Sequence, residues 1–332
     1  MVKLFRNSNP GIFALLIIYG VILKIPVFLH QPPIFLHSAY PLTDMVIYWV
    51  NKVYTATWLQ TAIALFLTFA QAFYLNYFLN DIRFIPKTTF LPAFVFVLLS
   101  SLFNQLSFFS PQLLSLCFLL PILHNTYLFY KKENASGLLF DTAFMTGILC
   151  LLYFPAIIFI IFLLGSLLTT RRFSIKEWSL CLLGFLIPFI LVIAYLYWTD
   201  DLKYINSVVD FSRKYFLTIS IKALSLQLTL TLAMLFLLFV WSFLVIRQNF
   251  FKTLVQWRIY INVTLWFLVC GTIGMIFGLQ ISPASLWLII IPLSAMIGYN
   301  FSELKQVRWA EYAHLLVILL IIVFNFKFLI RK

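Results

Sequence analysis

Stretches of about 17–25 apolar residues recur from one end of this 332-residue chain to the other, and no other feature narrows its possible folds as much. Coiled as α-helix, such a run crosses the roughly 30 Å of hydrocarbon in a bilayer, where only helices and closed barrels satisfy their own backbone groups. The runs lie near residues 11–30, 57–79, 90–109, 113–130, 138–153, 155–170, 178–198, 223–246, 259–279, 285–300 and 313–329. The expected fold is all-α, a polytopic helical membrane bundle of about eleven transmembrane helices that makes one transmembrane domain of residues 1–332. A composition of 63% hydrophobic and 10% charged residues excludes an ordinary soluble domain. No Gly/Ser linker, low-complexity tract or repeat marks an appended one. The first run follows Lys3 and Arg6, but it is long for a signal-peptide core and lacks a small-residue cleavage site. It reads as a retained span.

The net charge of +13 invites a nucleic-acid partner, yet the cations are spread over many short loops between spans. Membrane orientation accounts for them, and no nucleic-acid partner is expected. With the N-terminus in the cytoplasm, the inner loops hold Lys3, Arg6, Arg83, Lys87, Lys131, Lys132, Arg171, Arg172, Lys176, Arg247, Lys252, Arg258, Lys305 and Arg308, fourteen of 23 cations. The outer turns at 110–112 and 281–284 carry none, while Lys327, Arg331 and Lys332 would fall outside. Residues 138–170 are the ambiguous stretch, one tilted span or two short ones turning at Tyr153, Phe154 and Pro155. Two spans keep Lys131, Lys132 and Arg171 on one face and are preferred on charge. Cys117, Cys150, Cys181 and Cys270 all fall in apolar runs and are expected to be small buried residues.

Only two outer segments have room for chemistry. In the first, PLTDMVIYWVNKVY (41–54), a helix begun at Asp44 puts Asp44, Tyr48, Asn51, Lys52 and Thr55 on one stripe and Met45, Val46, Trp49, Val50 and Val53 on the other. That pattern describes an amphipathic helix in the membrane interface, with Thr43 as N-cap. Asp44 either complements the helix N-terminus or acts as a general base at the water–lipid boundary. In the second, TDDLKYINSVVDFSRKYF (199–216), Arg213 and Lys214 can hold a phosphate, with Lys203 nearby in sequence; the alternative is a solvated loop whose cations meet anionic headgroups.

Ionisable and polar residues inside spans are the remaining candidates. Lys24 and Asp141 lie near span ends, where snorkelling accounts for them. Asn104 and Gln105 line a pocket or bond between helices. His30, His37, His124 and His314 fall at different depths, so no metal site is expected. HExxH, P-loop, GxGxxG and GxSxG patterns are absent, which leaves zinc-protease, nucleotide and serine-hydrolase readings without their residues, and no cofactor is expected.

This layout resembles the GT-C superfamily of membrane glycosyltransferases, which use polyprenyl-phosphate sugars. The resemblance lies in the first span followed by PLTDMVIYWVNKVY, the middle stretch FFSPQLLSLCFLLPILHNTYLFYKKENASG with its paired short span LLFDTAFMTGILCLLYFPAIIFIIFLLGSLL, and the basic inner loop RRFSIKEWSLCLLGFLIPFIL. The same stretches resemble a family of polytopic membrane proteins from Bacteroidota over most of the chain. The resemblance implies a multi-pass protein of the bacterial inner membrane with a cytoplasmic N-terminus. It further implies an inverting transfer at the outer face, with Asp44 as catalytic base. By position only, Arg213, Lys214, Lys203, Tyr48 and Lys52 are the candidates to hold substrate, and the partners would be membrane lipid and a polyprenyl-phosphate sugar donor. Two departures are the single acid in the first outer loop, where many such enzymes show two, and the lack of an extracytoplasmic domain after the last span. They leave open a second reading, a non-catalytic membrane subunit of an envelope-assembly or secretion complex that holds partner membrane proteins.

Overall fold

The computed structural model describes residues 1–7, 9, 11–29, 57–132, 134–171, 173–200, 226–276 and 283–325. Among the described residues there is helix and turn but no strand. The helices are α1 (Val2–Phe5), α2 (Gly11–Leu23), α3 (Ile25–Leu29), α4 (Thr57–Asp81), α5 (Leu91–Ser100), α6 (Pro111–Phe129) and α7 (Ser136–Leu152). They continue as α8 (Phe159–Thr170), α9 (Ile175–Trp198), α10 (Leu226–Phe250), α11 (Val255–Ile276), α12 (Trp287–Glu303) and α13 (Val307–Asn325). Single 3₁₀ turns occur at Asn104–Ser107, Phe154–Ile158 and Pro283–Leu286.

Each of the eleven apolar segments carries helix, but their lengths divide them. Among the described residues six helices, α4, α6, α9, α10, α11 and α13, are long and apolar enough to cross a membrane. The other five segments hold α2, α5, α7, α8 and α12, of 10 to 17 residues. Two of these shorter helices form the centre. Every residue of α5 is buried, as is every residue of α12 from Trp287 to Phe301, and the two pack together where Gly298 approaches Pro92. The stretch 138–170 breaks after Leu152, with Tyr153 extended and a 3₁₀ turn at Phe154–Ile158. Pro155 has no N–H to continue the α-helical ladder there.

Side-chain contacts sort the connections into two ends. At one, the α4–α5 turn is closed by Asn80, which donates from Nδ2 to the Thr89 carbonyl at 3.0 Å, and the turn is fastened to α11 by Trp257 Nε1 donating to the Phe84 carbonyl at 2.8 Å. Arg83 adopts φ 56° there, and the Phe84 N–H donates back to the Leu79 carbonyl at 2.9 Å, a left-handed helix stop. Arg6 caps the C-terminus of α12. Its Nη2 donates to the carbonyls of Phe301, Ser302 and Leu304 at 2.6, 3.0 and 2.6 Å, and its Nε donates to Phe301 at 3.0 Å. The Met1 amine donates to Glu311 of α13 at 2.9 Å. Every described Lys and Arg except Lys24 is found at this end, hereafter the basic end. The far end gathers Lys24 with Ser107, Asn325 with the Ser101 carbonyl, and Gly274 with the Pro155 carbonyl.

Small residues set the closest approach between helices. Helix α9 runs along α7, and a methyl group placed on Gly147 would stand 2.5 Å from the Phe185 carbonyl oxygen; on Gly184 it would stand 2.8 Å from that of Phe140. Gly147→Leu should therefore lower stability by about 1–3 kcal/mol through overpacking, read as an earlier unfolding transition in detergent. Gly137→Ala, with nothing within 4 Å of the added group, should shift it far less.

Candidate functional site

All six residues that the sequence nominates for chemistry, Asp44, Tyr48, Lys52, Lys203, Arg213 and Lys214, lie outside the described residues, as do the expected interfacial helix, His30 and His37. Their points of attachment are described. Segment 30–56 leaves after α3 and rejoins at α4, and both helices touch the 3₁₀ turn Asn104–Ser107. Segment 201–225 leaves beyond α9 and rejoins at α10. Helix α9 runs parallel to α7, since residue 184 meets 140 and residue 188 meets 147, so its C-terminus falls at the end where α7 stops. Helix α10 runs parallel to α12, with Ser242 against Asn300 and Leu235 sharing a groove with Leu293, so its N-terminus falls at the end where α12 starts. Both segments thus spring from the far end.

The described residue that stands out at this end is Lys24. Pro26 has no N–H to donate to the carbonyl four residues before it, and the helix breaks at Lys24 between α2 and α3. The side chain does not snorkel to the water boundary, as its place near a span end leads one to expect. Instead it turns into the protein, where it is 1% exposed and its Nζ donates to Ser107 Oγ at 2.9 Å. Ser107 closes the turn Asn104–Ser107 and is itself buried; Gln105 of that turn is exposed and Asn104 half-buried. An ammonium has three protons to donate. Among the described residues no carboxylate pairs with Lys24, and a single serine oxygen is poor compensation for a charge held away from water.

The 3₁₀ turn of Ser107 also contacts the turn Pro283–Leu286 ahead of α12. Beyond that turn lies an apolar groove of about 290 Å³, lined by Leu232, Leu235 and Phe239 of α10, Leu268 of α11, and Ile289 and Leu293 of α12. Ile289 is at the start of α12, which puts the groove in the half of the bundle toward the far end. Thr272 of α11 is the one polar side chain in a lining that is otherwise apolar.

The other titratable groups stay apart. Tyr74 bonds His124 Nδ1 at 3.1 Å in the α4–α6 interface, while Tyr19 bonds His314 Nε2 at 2.8 Å in the α2–α13 interface. Among the described residues no three His, Cys, Asp or Glu side chains converge as a metal site would require. Asp141 is exposed on α7, in keeping with its place near a span end. Cys150, Cys181 and Cys270 are buried as expected, but Cys117 is exposed on α6, and all four are free thiols. Compared with family models, curated proteins and solved structures, the chain matches none.

The Lys24–Ser107 contact makes a specific expectation. Ser107→Ala should cost about 1.5–3 kcal/mol by stripping a buried charge of its acceptor, whereas Lys24→Met should be neutral or stabilising, because an apolar chain of similar length replaces the charge. In the Lys24→Met background, Ser107→Ala should cost little. A double-mutant cycle on thermal unfolding reads all three.

Proposed function

We propose that the chain is a multi-pass protein of the bacterial inner membrane, its basic end in the cytoplasm, and that it transfers a sugar from a polyprenyl-phosphate donor to an acceptor at the outer face. The observation that carries this reading is Lys24, a cation kept inside the far end, the end from which the segments that hold Asp44, Arg213 and Lys214 both leave. Cations collect on the cytoplasmic side of membrane proteins, so a buried one on the other side, paired with no described carboxylate, calls for an anion. A lipid phosphate is such an anion, and the apolar groove between α10, α11 and α12 is suited to its hydrocarbon tail.

In the proposed reaction Asp44 takes the proton of the acceptor hydroxyl, the hydroxyl oxygen bonds to the sugar C1, and the C1–O bond to phosphate breaks with its electron pair leaving on the phosphate. A phosphate needs no general acid to depart. Arg213 and Lys214, with Lys203, would neutralise the charge that develops on it, while Tyr48 and Lys52, which the sequence pattern puts on one stripe with Asp44, would contact the sugar.

The alternative, a non-catalytic subunit of an envelope-assembly or secretion complex, draws support from α9. That helix packs mainly on α7 and leaves Leu183, Leu186, Ile190 and Leu191 exposed, a face available to a partner helix as well as to lipid.

With purified protein in lipid, polyprenyl-phosphate hexose carrying a radiolabel should donate its sugar to membrane-extract acceptors, and Asp44→Asn should reduce the rate by about 10²–10⁴-fold without loss of folding. A well-folded wild type that transfers nothing from a panel of donors would favour the subunit reading. Orientation has its own test: a membrane-impermeant maleimide added to intact cells should label a cysteine at Gln105 and spare one at Lys305 until the membrane is opened.

A further inference from the structure

At the basic end, the fold-back of 138–170 brings the α6–α7 connection beside the α8–α9 connection. Between them is a cavity of about 420 Å³. Lys131 and Lys132 line it from one connection and Arg171 from the other, so two adjacent cations and a third about forty residues away face one space. The acid among the lining residues is Glu177, and it is engaged, its Oε1 lying 3.3 Å from Arg171 Nη1. The wall between Arg171 and Glu177 is the start of α9. Its N-cap Ser174, which also lines the cavity, makes no side-chain capping bond, so the first turn of this 24-residue helix keeps N–H groups and the positive end of the helix dipole at the cavity wall.

Depth and surroundings narrow what such a site would take. Tyr130 and Phe173 are exposed at the cavity rim, aromatic residues of the kind that mark the headgroup level of a bilayer. Further along the same two helices, α8 exposes Leu168 and α9 exposes Leu182 and Leu183. An anion in the cavity therefore sits at the ends of helices that present apolar side chains outward.

We propose that this cavity binds a phosphate group, supplied by an anionic phospholipid of the leaflet at the basic end, with Lys131 and Lys132, which pair with no acid among the described residues, as two cations, Arg171 fixed by Glu177 as the third, and the α9 N-terminus as a source of N–H donors. The acyl chains of that lipid run along α8 and α9. The site is separate from the far end and owes nothing to the transferase reading.

The test uses the full-length protein in neutral detergent, titrated with dioleoyl phosphatidylglycerol or dioleoyl phosphatidylcholine and read by native mass spectrometry. One phosphatidylglycerol should be retained with at least about tenfold preference over phosphatidylcholine, and Lys131→Gln/Lys132→Gln should weaken it by about tenfold or more. Lys305→Gln/Arg308→Gln removes two cations of the same end that do not line the cavity and should leave binding unchanged. Arg171 is kept, because its loss would release Glu177 into the site. Glycerol 3-phosphate and inorganic phosphate at millimolar concentration identify the source: no displacement means that the lipid is the ligand, and displacement of the phosphatidylglycerol means that the same cations also serve a soluble phosphate. Equal phosphatidylglycerol affinity in the wild type and the Lys131/Lys132 variant, or an equal loss in both variants, would overturn the proposal.

Discussion

Backbone amides inside hydrocarbon must find partners, and this protein meets that constraint by wrapping its short elements in long ones. Helices α5 and α12 are 10 and 17 residues long, and nearly all of both is buried. Their neighbours include α4, α6, α10 and α11, four of the helices long enough to cross a membrane. Because protein surrounds it, the chain after α5 can abandon α-helix at Ser101, run extended at Phe103 and close a 3₁₀ turn at Ser107. A lipid-facing segment has no such freedom, since each orphaned amide would cost several kcal/mol, on the order of a buried polar group left unpaired. The site at the far end depends on this enclosure. Ser107, the acceptor for Lys24, belongs to the irregular stretch.

The same constraint explains what the sequence disclosed and what it hid. Apolar runs are visible as composition, so helix in each of the eleven segments was legible, and so was the turn at Tyr153 to Pro155, where proline and the cations of both flanks agree. Span lengths were not. Residues 90–109 read as one continuous run because buried irregular backbone uses the same apolar residues as buried helix, and nothing in their order shows that protein and not lipid encloses them. Lys24 was misread for a related reason: a lysine near a span end snorkels when water is its nearest polar environment, and only the fold reveals that Ser107, 83 residues away, is nearer. Lys131, Lys132 and Arg171 were legible as inner-loop charges but not as one cavity, which needs the packing of two connections about forty residues apart. Asp44 and the cations of 203–214 keep the standing that the sequence gives them, on segments whose ends the structure fixes.

The two ends differ in how they hold charge. At the basic end, cations are numerous and mostly exposed, and they meet carbonyls, helix ends and each other's counterions at modest cost. At the far end a single described cation is buried with a neutral partner. A bundle needing only stability would be served better by methionine at position 24. The transfer proposed for the far end rests on that asymmetry, since a buried ammonium with a neutral partner among the described residues would be stabilised by an arriving anion.

The Arg6 clamp bears on how the molecule is assembled. Arg6 is made well before the carbonyls it caps at Phe301, Ser302 and Leu304, which lie 295 to 298 residues downstream. At about 5–20 residues per second the ribosome reaches them on the order of fifteen seconds to a minute later. Through that interval the guanidinium has no fixed acceptor, and the N-terminal strap that joins α1 to α12 and α13 cannot close. Insertion of the spans can proceed one after another, but the contact between Arg6 and the end of α12 can close only after α12 has been made and delivered to the bundle.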